Sequence, residues 1–283
     1  MVLSPSQRDL VVTWLPGAEL LADYSRDLVD TTLLHLRYQG QELAVKASGS
    51  LDRHISREIS AHLRWTGPLL PDCAPMLMHA ERSERILVTT WRPGDLVQGH
   101  PAEWSPDTYR QAGELLARFH AQDSRIDKWW HARQRDRIAT WLDRPHRIPA
   151  DQVCRIRCRL RDWRTDPVRV VPTHGDYQPR NWLIDDAGRL AVIDFGRAAW
   201  RPAATDLSRL EAQQWRDQPA LAEAFFAGYG PDPRPEWWAQ VQLAEAVGTA
   251  GWAARVGDEA FERQGLRMVR EALAREVEGA VRC

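Results

Sequence analysis

Residues 168–196 read VRVVPTHGDYQPRNWLIDDAGRLAVIDFG, the densest polar cluster flanked by apolar strands in the chain. Val168–Val171 is an apolar, β-branched run, and Asp176 falls in the loop behind it. Trp182-Leu183-Ile184, the turn residues Asp185-Asp186-Ala187-Gly188 and the run Leu190–Ile193 together predict a hairpin. A hairpin brings its ends together, so Asn181 entering it and Asp194 leaving it are expected to be neighbours. An amide oxygen beside a carboxylate suits a hard cation such as Mg²⁺, with phosphate oxygens completing its shell. Asp176 is then left to accept a proton from a hydroxyl. Singly, Asp and Asn serve most often as turn residues. Each additional fixed residue, however, reduces chance matches roughly twentyfold.

Upstream the pattern changes. Thr31–Gln39 and Glu42–Ala47, joined by a turn at Gly40-Gln41, predict a hairpin with Lys46 near the end of its second strand. Residues 51–66 show helical periodicity through Ile55, Ile59 and Leu63, and Pro68 and Pro71 stop the helix. Ile86–Thr90 reads as a strand and WRPGDL (91–96) as a turn-forming linker. Beyond it, helices are expected over 107–121, 129–143, 150–164, 206–228, 235–255 and 258–280. The fold class is therefore α+β.

HGDYQPRN (174–181) followed by VIDFG (192–196) resembles the catalytic and metal-binding loops of the aminoglycoside phosphotransferase family, relatives of the protein kinases. Other stretches fall in the family's order. Val45-Lys46 resembles the nucleotide-binding lysine, and Glu58 its ion-pair partner. LVTTWRPG (87–94) resembles the hinge, LLARFHA (115–121) the helix before the catalytic core, and PAATDL (202–207) the stretch ending in a structural Asp, here Asp206. The resemblance implies a two-lobed protein-kinase-like fold, with a small antiparallel-sheet N-terminal lobe (1–91) and a mostly helical C-terminal lobe (92–283). It implies Asp176 as catalytic base and Asn181 and Asp194 as Mg²⁺ ligands. Lys46 would hold the α- and β-phosphates of ATP (or GTP), Glu58 would fix Lys46, and adenine would bond to hinge backbone near Thr90 and Arg92. The implied activity is O-phosphorylation of a small-molecule hydroxyl, foremost on an aminoglycoside or basic peptide antibiotic. The alternatives are a metabolic kinase for an amino alcohol, amino acid or sugar, and a nucleotide-binding regulator without catalysis. Protein-kinase activity fits less well, because HGD replaces HRD and no APE-like end follows Asp194.

Composition narrows the partners. With 38 basic and 39 acidic residues the net charge is -1, which argues against a general nucleic-acid or anionic-membrane binder. No run of 18 apolar residues occurs, and Arg8 and Asp9 interrupt the first apolar stretch with no small-residue cleavage site. A cytoplasmic monomer or homodimer with a small-molecule acceptor is expected. Of the 38 basic residues only Lys46 and Lys128 are lysines, so an ammonium at position 46 stands out against the Arg bias. Fourteen Trp are present, and in the pairs Trp129-Trp130 and Trp237-Trp238 one ring is expected to enter the core. Two departures from the family pattern stand out. ADYSRDLVDT (22–31), where a phosphate-covering loop would lie, has no Gly, and Arg180 stands where Gly often precedes the ligand Asn.

Overall fold

A computed structural model describes residues 3–25, 31–49 and 54–274. In chain order the elements begin with α1 (Pro5–Trp14), β1 (Glu19–Asp23), β2 (Thr31–Tyr38), β3 (Gln41–Ser48) and α2 (His54–Arg64). They continue with β4 (Leu77–Glu81), β5 (Ile86–Thr90), β6 (Asp95–Leu96), α3 (Pro106–His120), β7 (Arg125–Asp127), α4 (Trp130–Leu142) and α5 (Ala150–Arg161). Then come β8 (Val168–Thr173), β9 (Trp182–Ile184), β10 (Leu190–Val192) and β11 (Ala199–Arg201). The last helices are α6 (Ser208–Ala212), α7 (Gln214–Asp217), α8 (Pro219–Tyr229), α9 (Trp238–Val256) and α10 (Glu259–Ala274). Among the described residues no helix is long and apolar enough to cross a membrane.

Two compact units result, one of residues 1–123, 172–200 and 214–231, the other of 124–171, 201–213 and 232–283. The first is built on a five-stranded antiparallel sheet in the order β1-β2-β3-β5-β4. Alternation gives the sheet two distinct faces. Leu43, Val45 and Ala47 of β3 join Leu36, Ile86 and Val88 in a core against Leu10, Val11 and Trp14 of α1. On the other face Leu87 packs under Ile55 and Ile59 of α2, directly opposite Lys46 in the β3–β5 register. Helix α1 was not expected, although Ser4 and Gln7 form a capping box: Ser4 Oγ accepts from Gln7 N–H (3.2 Å) and Gln7 Oε1 from Ser4 N–H (3.0 Å). The β2–β3 turn centres on Gln39-Gly40, one residue earlier than expected, because these two residues take the positive φ (50° and 78°) of a two-residue hairpin loop.

In the same unit α3 and α8 cross at two glycines. A Cβ on Gly113 would lie 2.1 Å from the Phe225 carbonyl oxygen, and one on Gly228 would lie 2.0 Å from that of Arg110. Neither backbone can yield without separating the helices. Gly113→Ala is therefore expected to destabilise the fold by about 2 kcal/mol, as overpacked sites do. A denaturant midpoint equal to that of the parent protein would contradict this crossing.

The single helix expected over 206–228 is instead three, α6, α7 and α8. Gln213 leaves helical geometry (φ -120°, ψ -99°), and Gln218 is extended (φ -136°, ψ 84°) ahead of Pro219. Proline disfavours the helical region for the residue before it and suits the first turn of the next helix. In the second unit β7 pairs antiparallel with Val168–Val170 of β8. Helices α4, α5, α9 and α10 enclose a core of Ile138, Leu142, Ile156, Leu243, Val247 and Val269. Trp130 is buried against His131 and Trp237 while Trp129 is 68% exposed, dividing the pair as expected.

Candidate active site

All seven candidate residues lie in the first unit. The cluster of α2 residues Ile55 and Ile59 on Leu87 turns Glu58 towards β3, where its Oε2 meets Lys46 Nζ at 2.7 Å. The same ammonium lies 2.8 Å from Asp194 Oδ1. Burial alone would lower the Lys46 pKa, but the two carboxylates outweigh it and raise the pKa, so this ammonium keeps its charge. Desolvation would likewise raise Asp194, and the Lys46 charge and hydrogen bond overcome it, holding the carboxyl at about 2.

The hairpin forms as expected, β9 pairing with β10 from Trp182↔Val192 to Ile184↔Leu190. Ile193 N–H donates to Asn181 C=O (3.0 Å), so the two hairpin ends are joined directly. Asn181 Nδ2 donates to the Asp176 carbonyl (2.8 Å), leaving its side-chain oxygen as the atom for a cation. His174, fully buried, ties the loop together: its Nε2 donates to Ile193 C=O (3.0 Å) and its Nδ1 accepts from Asp176 N–H (3.2 Å). One neutral tautomer satisfies both bonds.

The Asp176 carboxylate is buried and held at both oxygens. Gln178 Nε2 donates to Oδ1, Arg180 Nη2 to Oδ2 (2.5 Å), and Arg197 Nε lies 4.0 Å from Oδ2. Sequence reasoning missed Gln178 and Arg197. Gln178 lies two residues from Asp176, which was the available signal, but loop side chains follow no periodicity; Arg197, 21 residues on, gave no such signal. Arg180 remains 42% exposed, so its far side can still reach a ligand.

Asp194 adopts a left-handed backbone (φ 62°, ψ 68°), which costs a non-glycine residue of order 1 kcal/mol. The next two residues anchor it. A Cβ on Gly196 would lie 3.2 Å from both Asp194 Oδ1 and His54 Cβ, and its carbonyl bonds His54 Nδ1 (3.0 Å). Phe195 is buried among His62 (5.4 Å between centroids), Phe119 (5.6 Å) and His174 (5.0 Å). Trp182 is fully buried against Tyr109 and Tyr177, so it supports the loop from behind.

His62 has a pKa of about 4, lowered by burial and then by the Lys46 charge. Its folded value lies below the unfolded value of about 6.5, so the unfolded chain binds more protons as pH falls between them. Stability should thus be full above pH 6.5 and fall by about 1–3 kcal/mol towards pH 4. His131 in the second unit, lowered by burial and Arg164, adds a loss in the same sense. Comparing melting curves of His62→Leu and the parent over that range isolates the first contribution. Parallel pH profiles would refute it.

Thr90 and Arg92 stand apart from this cluster at the end of β5. Thr90 exchanges bonds with Met76: its N–H donates to Met76 C=O and its Oγ1 accepts from Met76 N–H, both 2.9 Å. The Arg92 guanidinium donates to the carbonyls of Pro71 and Asp72. Of the Gly-free segment, residues 26–30 lie outside the described residues, while Ser25 Oγ accepts from Leu33 N–H (3.1 Å).

Among the described residues no three His, Cys, Asp or Glu side chains are grouped to cage a metal. Asn181 and Asp194 instead offer the small, oxygen-only donor set that Mg²⁺ shares with phosphates and water. Their chemistry fits that ion.

The profile of the phosphotransferase enzyme family called APH matches residues 43–273. No curated protein matches the chain. Among solved structures, aminoglycoside phosphotransferase APH(4)-Ia superposes with a TM-score of 0.71 at 15% identity, covering 97% of this chain and 98% of that one. Choline kinase LicA from Streptococcus pneumoniae gives 0.65 at 14% identity over 95% and 98%. Macrolide 2'-phosphotransferase type I gives 0.62 at 18% over 95% and 98%. At these identities the likeness establishes the fold, a protein-kinase-like one with an antiparallel-sheet N-terminal region and a helical C-terminal part.

Proposed function

The chain belongs to the phosphotransferase enzyme family, and on that premise we propose that it transfers the γ-phosphoryl group of ATP to a hydroxyl of a small-molecule antibiotic. The observation that carries the transfer reading is the convergence, within one unit, of the Lys46–Glu58–Asp194 ion triad with the Asp176–Asn181 loop. Aminoglycoside and macrolide phosphotransferases among the similar structures support the acceptor class. The likeness to a choline kinase favours one other reading, a metabolic kinase for an amino alcohol. In the lobe division that goes with either, residues 1–91 bind nucleotide and 92–283 carry catalysis and the acceptor.

Each residue's task follows from its surroundings. Lys46, held charged and aimed by Glu58, would clamp phosphate oxygens as a compact cation. Asn181 Oδ1 and Asp194 would hold Mg²⁺, which when bound neutralises charge on the phosphates. Asp176 would orient the acceptor hydroxyl and take its proton, its carboxylate aimed by Gln178 and Arg180. Positioning and electrostatics supply the rate, since phosphoryl transfer asks little covalent chemistry of a protein.

The deciding experiment measures ADP release from Mg-ATP over a panel containing hygromycin B, other aminoglycosides, a macrolide, a basic peptide antibiotic, choline and homoserine. Stimulation by an antibiotic is expected. Stimulation by choline alone would favour the metabolic kinase. Nucleotide binding without stimulation by any acceptor would point to a regulator.

A further inference from the structure

A general base must come within about 2.6–3.2 Å of the hydroxyl whose proton it takes. The Asp176 side chain is only 4% exposed, so no hydroxyl can approach it until a neighbour moves. Three side chains crowd its oxygens. Gln178, on Oδ1, is itself buried and cannot leave without opening the loop. Arg197 stands back, its Nε 4.0 Å from Oδ2. Arg180 Nη2 sits directly on Oδ2 at 2.5 Å, yet 42% of its side chain faces solvent. The backbone on either side of Arg180 is fixed: Asn181 N–H donates to Gln178 C=O (2.9 Å) and Gln98 N–H to Pro179 C=O (3.2 Å). Arg180 can therefore leave by side-chain rotation alone, a fast motion for an exposed residue.

A guanidinium gives up a carboxylate readily only for another anion. Two guanidinium groups converge on this one carboxylate, so the rim is cationic even with Asp176 ionised. Asn181 and Asp194, the residues that would hold the metal and with it the terminal phosphates, lie close by. Asn181 is the next residue after Arg180, and Asp194 is near enough to Asp176 for their charges to oppose each other. Phosphate oxygens match the planar fork of Arg as well as a carboxylate does and carry more charge, which is the differential needed to change its partner. We propose that Arg180 takes two positions in the reaction: it covers Asp176 Oδ2 until the terminal phosphoryl group of the nucleotide draws it off, and the oxygen it uncovers receives the acceptor hydroxyl. The base is thus opened only once the phosphoryl donor is seated, and nucleotide binds before acceptor. This rests on the phosphotransfer reading for the identity of the ligands. It is a property of this chain rather than of the family pattern, where Gly often stands in place of Arg180.

The test compares two probes on the full-length protein by calorimetric titration with Mg²⁺ present: ADP, and AMP-PNP, which adds the terminal phosphoryl group. Arg180→Ala should weaken AMP-PNP about tenfold or more while ADP changes less than about twofold. Arg180→Gln, which can still donate to Asp176 but carries no charge, should show the same selective loss and decides the matter if Arg180→Ala does not fold. A second titration uses the acceptor that most stimulates ADP release in the panel above. The parent should hold it at least about fivefold tighter with AMP-PNP than with ADP in place, and Arg180→Ala, whose Asp176 is uncovered throughout, should hold it equally with either. Unchanged AMP-PNP affinity in Arg180→Gln, or an equal loss for both nucleotides, would overturn the proposal. So would a parent that holds the acceptor equally with either nucleotide. A selective AMP-PNP loss in a protein that phosphorylates no acceptor would keep Arg180 on the phosphoryl group and defeat the transfer reading instead.

Discussion

Asp176→Asn is expected to lower phosphoryl transfer about a thousandfold while nucleotide affinity stays within about threefold of the parent. The substitution preserves the size of a buried side chain whose two oxygens accept from Gln178 and Arg180. An amide supplies one acceptor in place of two, so one donor is displaced, but the loop has other ties. His174 still bonds both Ile193 C=O and Asp176 N–H, and Asn181 still bonds the Asp176 carbonyl. What disappears is the group able to take a proton. Lys46, Glu58 and Asp194 are untouched, which is why nucleotide binding should persist. Initial rates with a responsive acceptor, alongside ADP titration, read the two effects separately. Turnover equal to the parent's would remove Asp176 from its role as base.

Lys46→Met carries the second large effect, on both stability and binding. It leaves Glu58 buried beside Asp194 with no cation between them. Breaking a buried ion pair from one side costs about 3–5 kcal/mol, or a fall in melting temperature on the order of 10 °C for a chain of this size. Lys46→Met combined with Glu58→Gln should recover part of that loss, since the stranded charge is gone. Lys46→Arg separates charge from shape. It keeps the cation and most of the stability, yet should weaken nucleotide binding at least about tenfold, because a planar fork replaces a point charge in a narrow place. A Lys46→Met protein that melts with the parent would show that the triad is not what holds α2 to β3. Unchanged nucleotide affinity and rate in Lys46→Arg would undo the inference drawn from the rarity of lysine.

Much of this site was legible because its parts are short-range. His174, Asp176, Asn181 and Asp194 fall within 21 residues, and hairpin geometry alone predicts that Asn181 and Asp194 converge. Lys46 was readable as the end of the second strand of a predicted hairpin, whereas Glu58 was named only by the family resemblance, within a helix read from Ile55, Ile59 and Leu63. The side chains that grip Asp176 were not. Gln178 and Arg180 sit in an irregular loop, where local sequence sets neither direction nor partner. The Arg92 side chain turns to the carbonyls of residues 71 and 72, a tertiary destination that no pattern in WRPGDL announces. In the fold, β1 and β4 escaped notice as short strands at the two edges of the sheet. Of the two breaks in 206–228, the one before α8 turns on Pro219, whose effect was readable in principle, while the one at Gln213 has no proline or glycine to announce it.

Phe195 gives the site a property beyond geometry. One ring touches His62 from α2, Phe119 from α3 and His174 from the loop before Asp176. Glu58 is one turn from His62 on the same helix, so the ion pair at Lys46 and the loop that aims the proton acceptor lean on a common support. A tilt of α2 large enough to part Glu58 from Lys46 would reopen the space around that ring and loosen His174 with it. The phosphate-holding and proton-accepting halves are thus expected to be assembled or lost together, as one cooperative unit with no half-built state between them.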